Sequence, residues 1–468
     1  MVTPPVKVGQ KVTLTITGIT HAAEGVGKYQ GYTIFVPDAL PGDEVEAKVI
    51  STQKQYGRAL LTRIEKPSQD RVMPPCRYYA ECGGCQLMHA SYEAQLRYKE
   101  EQVTAALTRL GGLGDISVRP IMGMVQPYGY RNKALFPVGV QEGRLVAGCY
   151  KRRSHSIVDI DTCLIEHSAI SAAFVAAKRL AAKHHLSIYD ETTAEGLLRH
   201  ILVRHSFATK ETMVVFVING HVLPGGELIA SELMAELPQV VSVQFNINRA
   251  RGNVILGHET ILLGGRDHLI EHLAGLKFKV SANSFFQVNP VQTEQLYSKA
   301  IEFAACGSSS HLYDLYCGVG TMALIMAQSA HHVTGIEVVP AAVEDAIANA
   351  ELNNITNATF LTGTAEELLP TRLATGERPD IIVIDPPRAG CDESLLRTLA
   401  TAAPSRLVYV SCNPATLARD LKHLTAHGFT VVEVQPVDMF PHTAHVETVV
   451  LLSHKKSQCI WQTESEPL

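Results

Sequence analysis

The stretch that decides the fold is Asp314-Leu-Tyr-Cys-Gly-Val-Gly-Thr321, into which a short predicted strand runs. Its glycines let the backbone turn sharply and approach a ligand closely. Glu337 follows Gly318 by 19 residues, at the end of the next predicted strand, where a carboxylate can accept hydrogen bonds from both hydroxyls of a ribose. This stretch predicts a nucleotide-like cofactor. Because the glycine pattern also fits a dinucleotide fingerprint, a nicotinamide enzyme is a rival at this point.

Strand–helix alternation surrounds that stretch from about residue 281 onward. Helices fit between the strands, for example at 340–353 and 414–427. Strands are predicted at 311–316, 332–337, 358–362, 380–384, 406–410, 429–434 and 446–453. Seven strands joined mostly by crossovers predict a Rossmann-like, doubly wound sheet that binds ligands at the carboxyl ends of its strands. The last two strands have no clear helix between them, which is typical of the antiparallel seventh strand of methyltransferase sheets.

Two loops favour base methylation over hydride transfer. The fourth strand ends in Asp385-Pro-Pro-Arg388, a rigid loop that presents a carboxylate to the ligand crevice. The fifth ends in Ser411-Cys-Asn-Pro414, which places the thiol of Cys412 at the same edge. A cysteine in a polar turn is unlike the buried cysteine of an apolar core. Cys317 is its nearest competitor, but it is better explained as packing beside the cofactor.

Methylation at carbon 5 of uracil needs this kind of thiol. That carbon is a poor nucleophile until a thiolate adds at carbon 6, and a base must later remove the proton from carbon 5. Glu447 begins the last strand, and an antiparallel direction would bring it to the same end of the sheet as Cys412. His442 and His445 are alternative bases, because histidine titrates near neutrality. Asn413 is a further candidate for a contact with the ring, and Arg388 one for stabilising developing charge.

The N-terminal 66 residues predict a small β-barrel. Strands fit at 11–17, 32–36, 43–50 and 58–64, separated by turn signals at 24–27 and 41–43. Several short strands in so few residues fit a closed barrel of the oligonucleotide-binding class. Residues 1–155 carry 20 Lys and Arg against 13 Asp and Glu, whereas the rest carries 21 against 33. A basic front end that includes Lys151-Arg-Arg153 favours a polyanionic partner.

The central region predicts a mixed α+β domain. A helix is expected at 91–111, another near 168–185, and long antiparallel strands at 201–205, 213–218, 240–246 and 254–257. Because no run of about 18 apolar residues occurs, a membrane span is not expected. The N-terminus lacks the apolar core of a secretory signal, so the expected location is the cytoplasm.

A cysteine group opens the central region. Cys76, Cys82 and Cys85 lie within ten residues, and Cys163 is the best candidate for a fourth ligand. Four thiolates suit either tetrahedral zinc or a 4Fe–4S cluster. The spacing does not decide between the two.

The catalytic motifs together resemble the RNA uracil-5-methyltransferase family. The segments that carry the resemblance, in order and at similar spacing, are 314–321, 385–390, 411–416 and 442–447. The resemblance implies that Cys412 is the nucleophile and Glu447 the base. It also implies that S-adenosylmethionine is bound at four positions: Gln287, Tyr316, Glu337 and Asp385.

The N-terminal half resembles the ribosomal branch of that family. Its barrel resembles a TRAM domain, an RNA-binding module, and the 23S rRNA members carry the same cysteine pattern with a 4Fe–4S cluster. The resemblance therefore implies that Cys76, Cys82, Cys85 and Cys163 hold such a cluster. The tRNA-directed branch generally lacks both features, so 23S rRNA is the expected substrate and tRNA the alternative.

The expected architecture is multi-domain α/β in a monomer. A TRAM barrel spans 1–66 and a central RNA-binding domain with the cluster spans 67–280, with helix 91–111 free to pack on the catalytic domain. The methyltransferase domain spans 281–456, and 457–468 forms a polar tail. Two rival hypotheses remain, a nucleotide-binding oxidoreductase with an iron–sulfur cluster and an RNA-binding or redox-sensing protein without catalysis.

Overall fold

A computed structural model describes residues 4–455 of the chain, and the predicted tail at 457–468 lies outside the described residues. Three units follow one another: a barrel, a mixed sheet with two helices, and a doubly wound sheet. This confirms the predicted multi-domain α/β class. Within residues 4–455 no helix combines the length and apolarity that a membrane crossing requires.

The barrel closes in the order β1-β2-β3-β5-β4. Its strands are β1 (Lys11–Ile19), β2 (Glu24–Tyr29), β3 (Tyr32–Pro37), β4 (Glu44–Thr52) and β5 (Tyr56–Lys66). Residues 24–27, predicted as a turn, in fact begin β2, so that prediction is wrong. A Cβ atom on Gly25 would lie 2.6 Å from the carbonyl oxygen of Ala39. The glycines here allow close packing inside a small barrel rather than a reversal of the chain.

Helix α1 (Tyr92–Arg109) joins the barrel to the catalytic sheet. Ser91 caps its first turn by accepting a hydrogen bond from the backbone N–H of Ala94, as N-cap serines do. Tyr98 packs on one side among residues of the barrel. Val103 and Leu107 pack on another side among strands of the catalytic sheet. The helix is therefore positioned by two different apolar cores.

The central unit is a seven-stranded sheet in the order β12-β11-β10-β9-β6-β7-β8, followed by a β13–β14 hairpin. Its elements are β6 (Lys133–Gln141), β7 (Arg144–Tyr150), β8 (Ile157–Asp159), α2 (Ser168–Lys183), β9 (Leu198–His205), β10 (Thr212–Ile218), α3 (Gly226–Glu236), β11 (Val240–Ile247), β12 (Glu259–Gly265), β13 (His268–Leu273) and β14 (Leu276–Ser281).

Two predictions for this unit are wrong. Strand β11 pairs parallel to β10, because α3 carries the chain back before β11 begins. Residues 254–257 form no strand and β12 starts at Glu259. The side-chain amide of Asn248 donates to the carbonyl oxygens of Val254 and Ile255, at 2.7 and 2.8 Å. Those two carbonyl groups are thus hydrogen-bonded within a loop.

The catalytic sheet has the order β17-β16-β15-β18-β19-β21-β20. Strand β21 runs antiparallel to both neighbours, which confirms the predicted seventh strand. Its elements are α4 (Pro290–Ala304), β15 (His311–Leu315), α5 (Thr321–Ala327), β16 (His332–Glu337), α6 (Pro340–Leu352), β17 (Ala358–Thr362), α7 (Ala365–Ala374), β18 (Ile381–Ile384), α8 (Glu393–Ala402), β19 (Arg406–Ser411), α9 (Pro414–Ala426), β20 (Phe429–Val437) and β21 (Glu447–His454).

Candidate active site

Cys412 and Glu447 come together at the carboxyl edge of the catalytic sheet. Cys412 follows β19, Glu447 begins β21, and the pairing of the two strands sets Ser411 opposite Thr448. Cys412, the first residue after β19, therefore lies near Glu447, the first residue of β21. Burial raises the pKa of the Cys412 thiol to about 11, and the charge of Glu447 adds to this effect. A thiol with a raised pKa must lose its proton before it can act as a nucleophile.

Three carboxyl groups form what we call the acidic crevice: the buried Asp314 and Glu447 and the partly buried Asp385. Burial raises the pKa of Asp314 to about 8 and that of Asp385 to about 7, and it raises the pKa of Glu447 well above its usual value. Oδ2 of Asp314 has no hydrogen-bond partner within residues 4–455. Buried carboxylates that lack a counter-ion favour a cationic ligand. Asp314 was missed as a site residue, although it is an acid at the end of an apolar strand.

The glycine loop is held by Glu337. Its carboxylate accepts hydrogen bonds from the backbone N–H groups of Gly318 and Val339, at 3.0 and 2.9 Å. Tyr316 has a φ of +66°, which is uncommon for a residue with a side chain and often occurs at functional sites. Its hydroxyl donates to Glu366 at 2.7 Å. The loop is thus fixed at both ends before any ligand binds.

Gln287 lies in the loop between β14 and α4. The cap of α4 is Asn289, whose side chain accepts a hydrogen bond from the N–H of Gln292. Gln287 itself uses only its carbonyl group, which accepts from the Asn132 amide at 3.0 Å. Its half-buried side chain forms no hydrogen bond within the described part of the chain. Gln287 therefore does not cap α4.

The two histidines that rival Glu447 differ in position. His442 is buried, stacks on Tyr128 with ring centroids 4.4 Å apart, and lies 3.2 Å from the Gln95 amide. Nε2 of His445 lies 3.5 Å from the Arg388 guanidinium. Both residues line the same cavity as Cys412. Burial lowers the pKa of each histidine to about 4. Of the three candidate bases, Glu447 has the highest affinity for a proton.

The expected contact between Asn413 and the target ring is not what the structure favours. Its side chain caps α9 by accepting a hydrogen bond from the N–H of Ala415 at 3.0 Å. Its amide group donates to the carbonyl oxygen of Arg388 at 3.1 Å. Asn413 thus joins the two loops that carry Asp385 and Cys412, and its polar groups are already engaged.

The four predicted cysteine ligands lie close to one another. Cys76, Cys85 and Cys163 share one small core with Tyr130. A hydrogen bond with Cys149 lowers the pKa of the Cys82 thiol, and Cys149 is a fifth thiol that the sequence did not single out. None of these cysteines forms a disulfide. Within residues 4–455, however, no three His, Cys, Asp or Glu side chains are arranged to hold one metal ion.

The loop that carries Cys76, Cys82 and Cys85 contacts the segment that leads into Glu447. The N–H groups of Gln86 and Leu87 both donate to the carbonyl oxygen of His442, at 3.0 and 2.9 Å. From the other side, Nζ of Lys99 on α1 binds Asp438 at 2.5 Å and the carbonyl oxygen of Phe440 at 3.0 Å. The segment that leads into β21 is therefore held between the cysteine loop and α1.

The Lys99–Asp438 pair predicts a large effect on stability. Their side chains are 1% and 0% exposed, so Lys99→Met leaves a buried carboxylate without its cation and should lower the free energy of unfolding by about 3–5 kcal/mol. Adding Asp438→Asn should restore part of that loss. Arg397→Met, which breaks an exposed pair on α8, is the control and should have almost no effect. Denaturant unfolding measures the free energy of unfolding of the three variants. If Lys99→Met and Arg397→Met lower it by the same amount, the prediction is wrong.

The basic run at 151–153 is not a free RNA-binding edge. Arg152 pairs with Asp38, and Arg153 pairs with Glu24 at 2.7 Å. Lys151 pairs with Glu81 at 2.6 Å. The acidic partners of both arginines belong to the barrel segment, so these charges fasten the barrel to the central unit. The sequence predicted a polyanion-binding surface at 151–153 because the acidic partners of these residues lie in distant parts of the chain.

Comparisons with known families match both parts of the chain. Residues 92–455 match the model of the tRNA (uracil-5-)-methyltransferase family. Residues 5–62 match the model of the TRAM domain.

Relatives match almost the whole length. An uncharacterized RNA methyltransferase of Halalkalibacterium halodurans is 46% identical over 96% of this chain and 98% of its own. One of Listeria innocua is 46% identical over 96% and 99%. A solved structure of a Pyrococcus abyssi tRNA (uracil-54, C5)-methyltransferase in complex with S-adenosyl-L-homocysteine is 28% identical, with a TM-score of 0.77 over 94% of this chain and 100% of its own.

Proposed function

Because this chain belongs to the tRNA (uracil-5-)-methyltransferase family and carries a TRAM domain, we propose that it methylates carbon 5 of a uridine in 23S rRNA. The proposed units are the barrel at 1–66, the central domain at 67–280 and the methyltransferase domain at 281–456, acting as a cytoplasmic monomer. One observation carries the proposal. A thiol, Cys412, and a buried carboxyl group, Glu447, lie side by side at the edge of an acidic crevice.

The proposed reaction uses both groups in sequence. The thiol of Cys412 first gives up its proton to solvent. The resulting thiolate adds to carbon 6 of the uracil, and the electron pair of the 5,6 double bond moves toward the ring carbonyl. Carbon 5 then attacks the methyl carbon of S-adenosylmethionine, and S-adenosylhomocysteine leaves. Glu447 removes the remaining proton from carbon 5, the double bond re-forms, and the thiolate departs. Arg388, whose charge opposes the rise in the pKa of both groups, stabilises the negative charge that develops.

The methyl donor binds at the strand ends with Tyr316, Glu337 and Asp385, and at Gln287 in the loop before α4. Its sulfonium and ammonium groups are cations, which is what the acidic crevice favours. The carboxylate of Glu337 accepts two backbone N–H groups. Its remaining lone pairs can accept hydrogen bonds from the ribose hydroxyls. The Pyrococcus relative was solved with S-adenosyl-L-homocysteine, the demethylated form of the same molecule. These observations support a shared donor site.

Two RNA substrates are candidates, 23S rRNA and tRNA. The cysteine group favours 23S rRNA, through the resemblance to the ribosomal branch. The Pyrococcus protein, named for position 54 of tRNA, matches 94% of this chain. The N-terminal half therefore does not by itself separate the two substrates, and tRNA is the second candidate. In either RNA the uridine must leave its stack to reach Cys412.

Mass mapping of 5-methyluridine tests the substrate. We expect a strain that lacks this chain to lose 5-methyluridine from 23S rRNA and to keep it in tRNA. Restoring the wild-type chain should restore the modification, whereas a Cys412→Ala chain should not. Loss from tRNA alone would replace 23S rRNA by the second candidate. Loss from neither would overturn the proposal.

We further propose that Cys76, Cys82, Cys85 and Cys163 hold a 4Fe–4S cluster. Four thiols without a disulfide are a suitable donor set, because Cys76, Cys85 and Cys163 share one small core and Cys82 lies near Cys85. When bound, the cluster would serve as a structural brace, because the loop that carries three of its ligands supports the backbone at His442. Protein purified without oxygen should contain about four iron and four sulfide per chain. Cys85→Ser should lose iron, while Cys306→Ser, outside the group, should keep it, and zinc at one per chain would contradict the proposal.

A further inference from the structure

A cavity of about 480 Å³ lies in front of Cys412. Three separate parts of the chain form its walls: the β1–β2 turn of the barrel with His21, helix α1, and the loops that carry Arg388, Cys412 and His445. Cavities of this size hold whole small ligands. The proposed chemistry uses only the side of the cavity next to the thiol. The barrel and α1 therefore enclose space that the reacting uracil ring does not need.

One face of α1 lines that extra space. Gln102, Ala105, Ala106 and Arg109 all contact the cavity, and their spacing of three, four and seven residues places them on one side of a helix. The two alanines in the middle leave room for a flat group. Leu110, which ends the helix, also lines the cavity and is 55% exposed. An apolar floor between polar ends suits a nucleobase.

The charge of the cavity is positive. Its lining includes Arg109 and Arg388 but no Asp or Glu. Within residues 4–455 neither arginine forms an ion pair, whereas Arg152 and Arg153 are both paired with acids. Two guanidinium groups that form no ion pair within the described residues, in the lining of the same cavity as a thiol, favour a phosphate-bearing ligand.

We infer that this cavity takes the nucleotide next to the target uridine, and that Arg109 binds its phosphate while Gln102 and His21 contact its base. This inference rests on the proposed function, because it needs a uridine at Cys412. The flanking base leaves its stack and lies over Ala105 and Ala106. The barrel thus takes part in choosing the site, through the β1–β2 turn. The preference of the enzyme should depend on the base beside the uridine.

The base contacts are tested by removing the base itself. The substrate is an RNA stem–loop that the wild-type enzyme methylates, prepared also with an abasic residue on the 5′ or the 3′ side of the uridine. On one side the abasic residue should lower kcat/KM of the wild-type enzyme about tenfold. In the enzyme with both His21→Ala and Gln102→Ala, the intact RNA should already be the poorer substrate, and the abasic residue should cost nothing more. If the abasic residue lowers kcat/KM of the double variant by the same factor as that of the wild-type enzyme, the inference is overturned.

The phosphate contact is tested with Arg109→Ala. We expect KM to rise about tenfold with kcat unchanged, and the slope of log KM against log salt to fall by about one. Arg144→Ala, which removes an exposed charge in the central unit, is the matched control and should change neither. If Arg109→Ala behaves like Arg144→Ala, the phosphate assignment is wrong. Failure of the proposed function would differ, because the wild-type enzyme would then methylate no uridine at all.

Discussion

Replacing Cys412 by alanine should abolish methylation, with a loss in kcat of at least about ten thousand-fold, as when other covalent nucleophiles are removed. The reason is chemical. Without addition at carbon 6 the uracil ring gives carbon 5 no electron pair with which to attack a methyl group. Neighbouring cysteines cannot substitute. Cys317 is buried inside the cofactor loop, and burial raises the pKa of its thiol far above the usual value.

A covalent adduct distinguishes this role from a general loss of structure. RNA that contains 5-fluorouridine has no proton at carbon 5 for a base to remove, so the wild-type enzyme should remain attached to it after methyl transfer. Cys412→Ala should give no adduct, while Cys306→Ala, a half-buried thiol outside the site, should give the normal amount. An adduct that persists in Cys412→Ala and disappears in Cys317→Ala would move the nucleophile to the cofactor loop.

The catalytic sheet was predictable from the sequence because its inner parallel strands, β15, β16, β18 and β19, are covered on both faces. Such strands read as short, continuous apolar runs, as in β18 (Ile381–Ile384), where every residue is buried. The site could be predicted for the same reason. Asp385 and Cys412 directly follow two of these runs, and the ends of parallel strands meet at one edge.

The contacts that hold the site were not predictable in this way. Lys99 and Asp438 are 339 residues apart in the chain, and no local pattern signals that the two will meet in the same core. The ion pairs of Arg152 and Arg153 with the barrel are of the same kind. Local patterns report which residues are buried along one element, whereas partners from distant segments depend on how the units dock.

The second large effect concerns the base. Glu447→Gln should leave methyl transfer intact and stop release of the product, because an amide cannot take the proton from carbon 5. The buried position of Glu447 and the nearby charge of Asp385 raise the pKa of its carboxyl group. A carboxylate with a raised pKa is a stronger base. With ordinary RNA, a methylated covalent complex should therefore accumulate, and turnover should fall about a thousand-fold.

Denaturing gels with a labelled methyl group measure that complex directly. Glu393→Gln, an exposed carboxyl group on α8, is the matched control and should release product at the wild-type rate. His445→Ala is the informative comparison, because His445 lines the same cavity as the thiol. If His445→Ala traps the methylated complex and Glu447→Gln releases free product, the histidine is the base. If Glu447→Gln alone traps it, the proton leaves through the carboxylate at the start of β21.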